Sequence, residues 1–237
     1  MQSDEEKLVT YEAKNRDTLF ERLRVMKALA SGEDCVVVAP AAAAIRLLAP
    51  KAVWSGAAVT LRKGDDIDLA GVMNDLVGMG YERLPMVYAK GQFSMRGDIL
   101  DIFTPYSDVP FRIELFDTEI ESIRSFDKDT QRSVSDAGSI EIYPAQEIVR
   151  DPEAFGRAAK KIKLAYRKLP ERREALLDDI ENLTNVQNLE NYMRYFYEKP
   201  ERIWDYADNA TVIVDDPNRT GDILEGRDRE LRDDFEV

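Results

Sequence analysis

The 237-residue chain contains no histidine and a single cysteine. Disulfide frameworks, Cys/His zinc sites and Ser-His-Asp or Cys-His catalysis are therefore closed to it, which leaves carboxylates, lysines and hydroxyls for any chemistry. The one thiol, Cys35, lies in the apolar run Cys35–Ala39, which reads as a buried strand with the thiol as a small hydrophobe. Long apolar runs are also missing. Cys35–Ala39 and Pro40–Ile45 are closed by Pro40 and Arg46, far short of the roughly 20 residues a membrane helix needs. Met1–Lys7 is charged and leads into no apolar segment, so no signal or transit peptide is expected and the cytoplasm is the expected location. No phosphate loop of the form G-x-x-x-x-G-K-[ST] occurs. Positive charge is in deficit: 33 Lys and Arg face 46 Asp and Glu, a net charge of −13. Such a field repels a phosphate backbone except at a local basic patch, and points first to protein partners.

What is present suffices for a sizeable core, with 44% hydrophobic residues in one large domain or two to three small ones. Leu19, Leu23, Met26, Ala28 and Ala30 recur at helical spacing up to Ser31-Gly32. The Val36–Ala39 strand, a helix over Ala41–Leu48, a strand over Ala57–Leu61 and a helix over Ile67–Met79 follow, an alternation expected of part of an α/β layered domain. Between Pro85 and Ile148 the pattern changes to short β segments: Met86–Ala89, Gln92–Met95, Ile99–Phe103, Phe111–Phe116, Ile120–Phe126 and Ile140–Tyr143. These predict a mostly antiparallel β domain in which carboxylates outnumber the six basic residues. Beyond Asp151-Pro152, helices are expected to Leu169, over Arg172–Leu183 and over Gln187–Tyr197. A buried strand Thr211–Val214 and a charged tail from Gly221, helical or frayed, close the chain.

Strand alternation singles out Pro110–Asp117. Phe111, Ile113 and Leu115 share one face, and Arg112, Glu114 and Phe116 the other. Arg beside an exposed aromatic is the composition of an interface hot spot, although an internal salt bridge or a domain contact explains the same face. On the neighbouring segment Ser94 and Arg96 share a face before Gly97, which permits a bulge or bend. Arg157–Arg173 holds eight basic residues against Glu171, with Ile162, Ala165, Tyr166 and Leu169 as the apolar stripe of a docked amphipathic helix. Asp215-Asp216 has the placement of a magnesium-binding acidic pair, but with no phosphate loop to complete it reads as a strand end or a relic.

Gly91-Gln92-Phe93-Ser94-Met95-Arg96-Gly97-Asp98-Ile99-Leu100-Asp101-Ile102-Phe103-Thr104-Pro105, followed by Pro110–Asp127, closely resembles the second domain shared by the excinuclease subunit UvrB and the transcription-repair coupling factors (Mfd). Arg16–Pro40 looks like the end of that family's first domain. Asn188–Tyr192 and Trp204–Asp216 look like its return segment. A UvrB protein would carry a working phosphate loop and an Asp-Glu-Ser-His box; here Asp215-Asp216-Pro217-Asn218 follows Val214, so the coupling factors fit better.

The resemblance implies an α/β and α+β multi-domain architecture. A partial RecA-like domain without its phosphate loop spans 1–84, an inserted β domain 85–149, and a helical return segment 150–237. It further implies a non-catalytic module, with no cofactor or metal, that recruits the damage-recognition subunit UvrA in transcription-coupled nucleotide excision repair. RNA polymerase and DNA would be met by regions absent here, in a full-length ATP-dependent translocase. The family's UvrA-contacting positions fall on Arg96, Arg112 and Phe116, with Glu114 as a further member. Two readings stay open beside it: a UvrB-like DNA-dependent ATPase or helicase module, and a structural domain with no exposed partner site.

Overall fold

The computed structural model describes residues 16–149, 151–182 and 192–236. Among them a six-stranded sheet, a two-stranded sheet and a helical layer share two hydrophobic cores.

The sheet is the β domain foreseen from alternation. Its strands are β2 (Glu82–Arg83), β3 (Gln92–Arg96), β4 (Ile99–Phe103), β5 (Phe111–Phe116), β6 (Glu119–Phe126) and β7 (Ser133–Ala137), in that spatial order. The β2–β3 pair is parallel and the rest are antiparallel. Tight turns set the registers. Gly97, at φ 58°, closes β3 onto β4 with Arg96 opposite Ile99, a hairpin where a bulge or bend was expected. Asp117, at φ 60°, closes β5 onto β6 in the left-handed conformation that a short polar side chain tolerates. Phe93, Leu100, Ile102, Ile113, Leu115 and Ile123 line the inner face. Against it lies α4 (Leu69–Gly78), which contributes Val72 and Leu76, together with Leu61 of β1 (Val59–Arg62). This core draws on residues well before 85, where the sequence places the domain boundary, because the apolar side of α4 has no other surface to cover.

The second core belongs to the helical layer: α1 (Arg16–Ala30), α3 (Lys51–Gly56), α5 (Pro152–Ala165), α6 (Pro170–Asn182) and α7 (Met193–Phe196). Asp151 caps α5 by accepting from the Glu153 amide, with Pro152 at the first helical position. Ala154, Ala158 and Ile162 form its buried stripe. Trp54 joins the two layers, stacking on Tyr143 at 5.4 Å between centroids and donating its indole N–H to the Gln146 carbonyl at 3.0 Å. Beside it the fully buried Arg22 of α1 donates to Glu147 Oε1 at 2.6 Å, and Arg46 Nη2 lies 3.7 Å from Oε2.

Several expectations are corrected. Cys35–Ala39 is neither strand nor buried: Cys35 is exposed, Val36 is 92% exposed and Val38 is exposed too. Thr211–Val214 likewise forms no strand, and its apolar side chains are exposed. A wholly apolar strand is buried only when neighbours and layers cover both faces, and no described element does so at either segment. Met86–Ala89 is not a strand, whereas β7, which reads as a polar separator, is one. Residues 139–142 form β8 (Ser139–Ile142), which pairs with β1 outside the main sheet. The helix expected from Ala41 shortens to α2 (Ala41–Ala44). The helix expected to reach Leu169 ends at Ala165. The charged tail from Gly221, expected to be helical or frayed, is helical and belongs to α8 (Pro217–Glu236). Of the helix expected over Gln187–Tyr197, residues 187–191, which also carry most of the resemblance at 188–192, lie outside the described residues; Met193–Phe196 is helical.

Burial gives the fold an alkaline signature. Desolvation pushes the hydroxyls of Tyr81, Tyr106 and Tyr206 well above the usual phenol range, and that of Tyr197 up to about 12. The unfolded chain ionises these groups near their ordinary value of about 10. The folded state therefore binds more protons above that pH, and stability falls as pH rises from there through the folded values. Absorbance at the phenolate band should show these four tyrosines titrating only together with loss of structure. A full phenolate signal reached with intact circular dichroism would contradict the assignment.

Candidate partner-binding site

The outer face of the six-stranded sheet carries the polar half of each alternation. One cross-strand row runs Ser94, Asp101, Arg112, Arg124, Asp136, and the next runs Arg96, Ile99, Glu114, Ser122. The two ends of this face differ. At one end the segment around Val87 and the turn at 127–131 cover it. Val87, Phe103 and Phe126 form a small buried cluster there, and Gln131 Nε2 reaches the Lys128 carbonyl. At the other end the face is open, and Phe116, the last residue of β5, is 76% exposed.

Asp101 organises the middle. Its side chain is only 1% exposed, and a carboxylate so placed needs cationic partners. It has two. Arg112 makes a bidentate pair, Nε to Oδ1 at 2.7 Å and Nη2 to Oδ2 at 2.9 Å, and Arg96 Nη2 donates to Oδ2 at 2.8 Å. Arg112 also donates to the Gln131 carbonyl at 3.2 Å and lies 4.7 Å over the Phe126 ring. Donating to Asp101 raises the pKa of Arg112 further, so Arg112 stays a cation. The sequence-selected residues therefore fall into two kinds. Arg112, 14% exposed, has its fork committed within the domain; Arg96, 43% exposed, keeps donors directed at solvent. Glu114 is half-buried, accepting from Ser122 Oγ at 2.7 Å with Arg124 Nη1 at 3.4 Å.

Arg96 and Phe116 lie two strands apart across the sheet, roughly 10 Å, and one two-residue step along it. They bracket Glu114 and Ile99 in an open patch with a cation at one margin and an aromatic ring at the other. Alternation within β5 found Arg112, Glu114 and Phe116 but passed over Asp101 and Arg124. The signal for Asp101 was present: one carboxylate within Ile99-Leu100-Asp101-Ile102-Phe103, a strand otherwise wholly apolar, has to be paired.

Asp215 and Asp216 immediately precede α8. Asp216 Oδ1 accepts from the Arg219 amide at 3.2 Å, and the Asp215 carbonyl accepts from Thr220 Oγ1 at 3.2 Å, the geometry of a helix cap. Among the described residues no cluster of three or more metal-ligating side chains occurs, and no helix is long and apolar enough to cross a membrane.

Residues 59–148, which hold this sheet and the helix packed beneath it, match the family described as the UvrB interaction domain. The chain is a homologue of part of the transcription-repair-coupling factors. It is 42% identical over 224 residues to the factor of Bacillus subtilis, covering 89% of this chain and 19% of that protein. It is 35% identical over 228 residues to that of Staphylococcus epidermidis, covering 91% and 19%. It is 36% identical over 214 residues to that of Staphylococcus aureus, covering 85% and 18%. The chain thus spans about a fifth of the length of these relatives. The matched interval opens at β1, so the interaction domain includes α4 and its share of the core as well as the six-stranded sheet.

Proposed function

We propose that the open end of the outer sheet face is the docking surface for UvrA, and that the chain serves transcription-coupled nucleotide excision repair by recruiting that subunit. Phe116 carries the reading: a large aromatic ring, three-quarters exposed on a rigid strand, beside a half-exposed guanidinium. Arg96 supplies the charge-assisted contact to a partner carboxylate and Phe116 the apolar anchor. Arg112 and Asp101 hold Arg96 in place, and Glu114 with Arg124 forms the polar rim. Binding is the whole of this region's contribution. ATP-driven translocation and contacts with RNA polymerase belong to the rest of a chain of the relatives' length.

The test is a titration of UvrA against the wild type and the Arg96→Ala/Phe116→Ala variant, by calorimetry. Micromolar or tighter binding, weakened at least thirty-fold in a variant of unchanged melting temperature, is the expected result; about 2 kcal/mol for a hot-spot aromatic sets that scale. A folded variant that binds as well as the wild type would move the site elsewhere.

A further inference from the structure

The hairpin of α5 and α6 bears a charge that the reading above does not use. Residues 157–173 hold eight Lys and Arg against Glu171, a local charge of +7 in a chain of −13, so the other 220 residues carry −20. Three of the cations are engaged by the segment that forms α7. Lys161 donates to the Arg194 carbonyl, Arg157 to the Phe196 carbonyl, and Arg172 to the Tyr192 hydroxyl. Lys160, Lys163, Arg167 and Lys168 are exposed and have no carboxylate within ion-pair distance among the described residues. Internal packing explains Ala154, Ala158 and Ile162 on the opposite side of α5, but gives no counter-charge to these four.

We infer that the exposed basic edge of the α5–α6 hairpin, Lys160, Lys163, Arg167 and Lys168, is a docking strip for the phosphate backbone of DNA. Lys160 and Lys163 lie about 4.5 Å apart along α5 at the helical rise, and Arg167 and Lys168 follow in the turn before α6. Phosphates of one strand follow each other every ~3.4 Å along the duplex axis, so four cations so placed can meet about three of them. Three of the four unengaged cations, Lys160, Lys163 and Lys168, are lysines: point charges on flexible stems, suited to a diffuse polyanion and not to a fixed carboxylate pair. Glu171 and Glu174 border the strip at the start of α6, while acidic charges more than about 10 Å away are largely screened at 0.1 M salt. Contact of this kind carries no sequence preference.

The probe is a fluorescein-labelled, mixed-sequence duplex of about 20 base pairs, followed by anisotropy from low to physiological salt. Neutralising about three phosphates should weaken binding about forty-fold between 50 and 200 mM salt, from a dissociation constant on the order of 10 μM. The Lys160→Gln/Lys163→Gln/Arg167→Gln/Lys168→Gln variant should lose at least tenfold in affinity and most of that salt slope, while keeping its circular dichroism and its affinity for UvrA. If the fourfold variant fails to fold, Lys160→Gln/Lys163→Gln and Arg167→Gln/Lys168→Gln should each lose part of the slope. Absence of duplex binding by the folded wild type at 50 mM salt would overturn the inference, as would binding indifferent to these substitutions. Polyglutamate competing as well as the duplex would assign the strip to an acidic protein instead, and overturn it too.

Discussion

Replacing Glu147 with alanine is expected to destabilise the protein by about 3–5 kcal/mol, the largest loss from any single carboxylate in the structure. The cause lies in what remains. Arg22 is fully buried on α1 and its Nε donates to Glu147 Oε1 at 2.6 Å. With the carboxylate gone, a guanidinium is left in a low-dielectric interior between the helical layer and the segment leaving β8, with Arg46 as a second cation nearby. Glu147→Gln keeps the shape and one acceptor but not the charge, and should fall between wild type and Glu147→Ala. Replacing Arg22 and Glu147 together with apolar residues of similar volume should recover much of the loss, because the pair's own desolvation cost disappears with it. Chemical denaturation of the wild type, the single apolar replacements at Arg22 and at Glu147, and the double replacement forms a double-mutant cycle. A loss under 1 kcal/mol for Glu147→Ala would mean that water or another partner compensates Arg22 in the variant.

Asp101→Ala should produce the second large effect, and on two properties at once. It removes the common acceptor of Arg112 and Arg96, leaving Arg112 over Phe126 with only Gln131 as a partner, at a cost on the order of 3 kcal/mol. It also frees Arg96 to wander, so UvrA affinity should fall although Asp101, at 1% exposure, touches no partner. Asp101→Asn separates the two: it retains two acceptor lone pairs near Arg112 and should cost less stability, yet still loosen Arg96. Arg112→Lys is the matching probe, since an ammonium cannot reproduce the two parallel hydrogen bonds of the fork. Wild-type UvrA affinity in a folded Asp101→Asn variant would separate Arg96 from the docking surface.

The strands that hold this site were legible because each buries one face. Gln92–Met95, Ile99–Phe103 and Phe111–Phe116 alternate clearly, and their turns fall at Gly97 and Asp117. β7 was missed because it is an edge strand, exposed along most of its length, so its sequence has no burial to encode. Val36–Ala39 failed the other way: an apolar run states that a segment suits a covered strand, not that a cover is present. Arg112 and Phe116 were correctly placed on one face, but alternation gives direction and not occupancy. It could not say that Asp101, eleven residues earlier in the chain, already takes up the Arg112 fork.

The exposed valines have a consequence for how the protein behaves in bulk. Val36, Val38, Val212, Ile213 and Val214 present exposed apolar side chains outside any helix or strand, the kind of surface that adheres to its like on another molecule. Against this short-range adhesion stands the mutual repulsion of molecules each carrying −13. The repulsion reaches about 30 Å at 0.01 M salt and only about 3 Å at 1 M, while the adhesion is not screened. Colloidal stability therefore turns on ionic strength in the reverse sense to a protein that self-associates through charge: dilute buffer keeps the molecules apart, and concentrated salt brings the valines within reach.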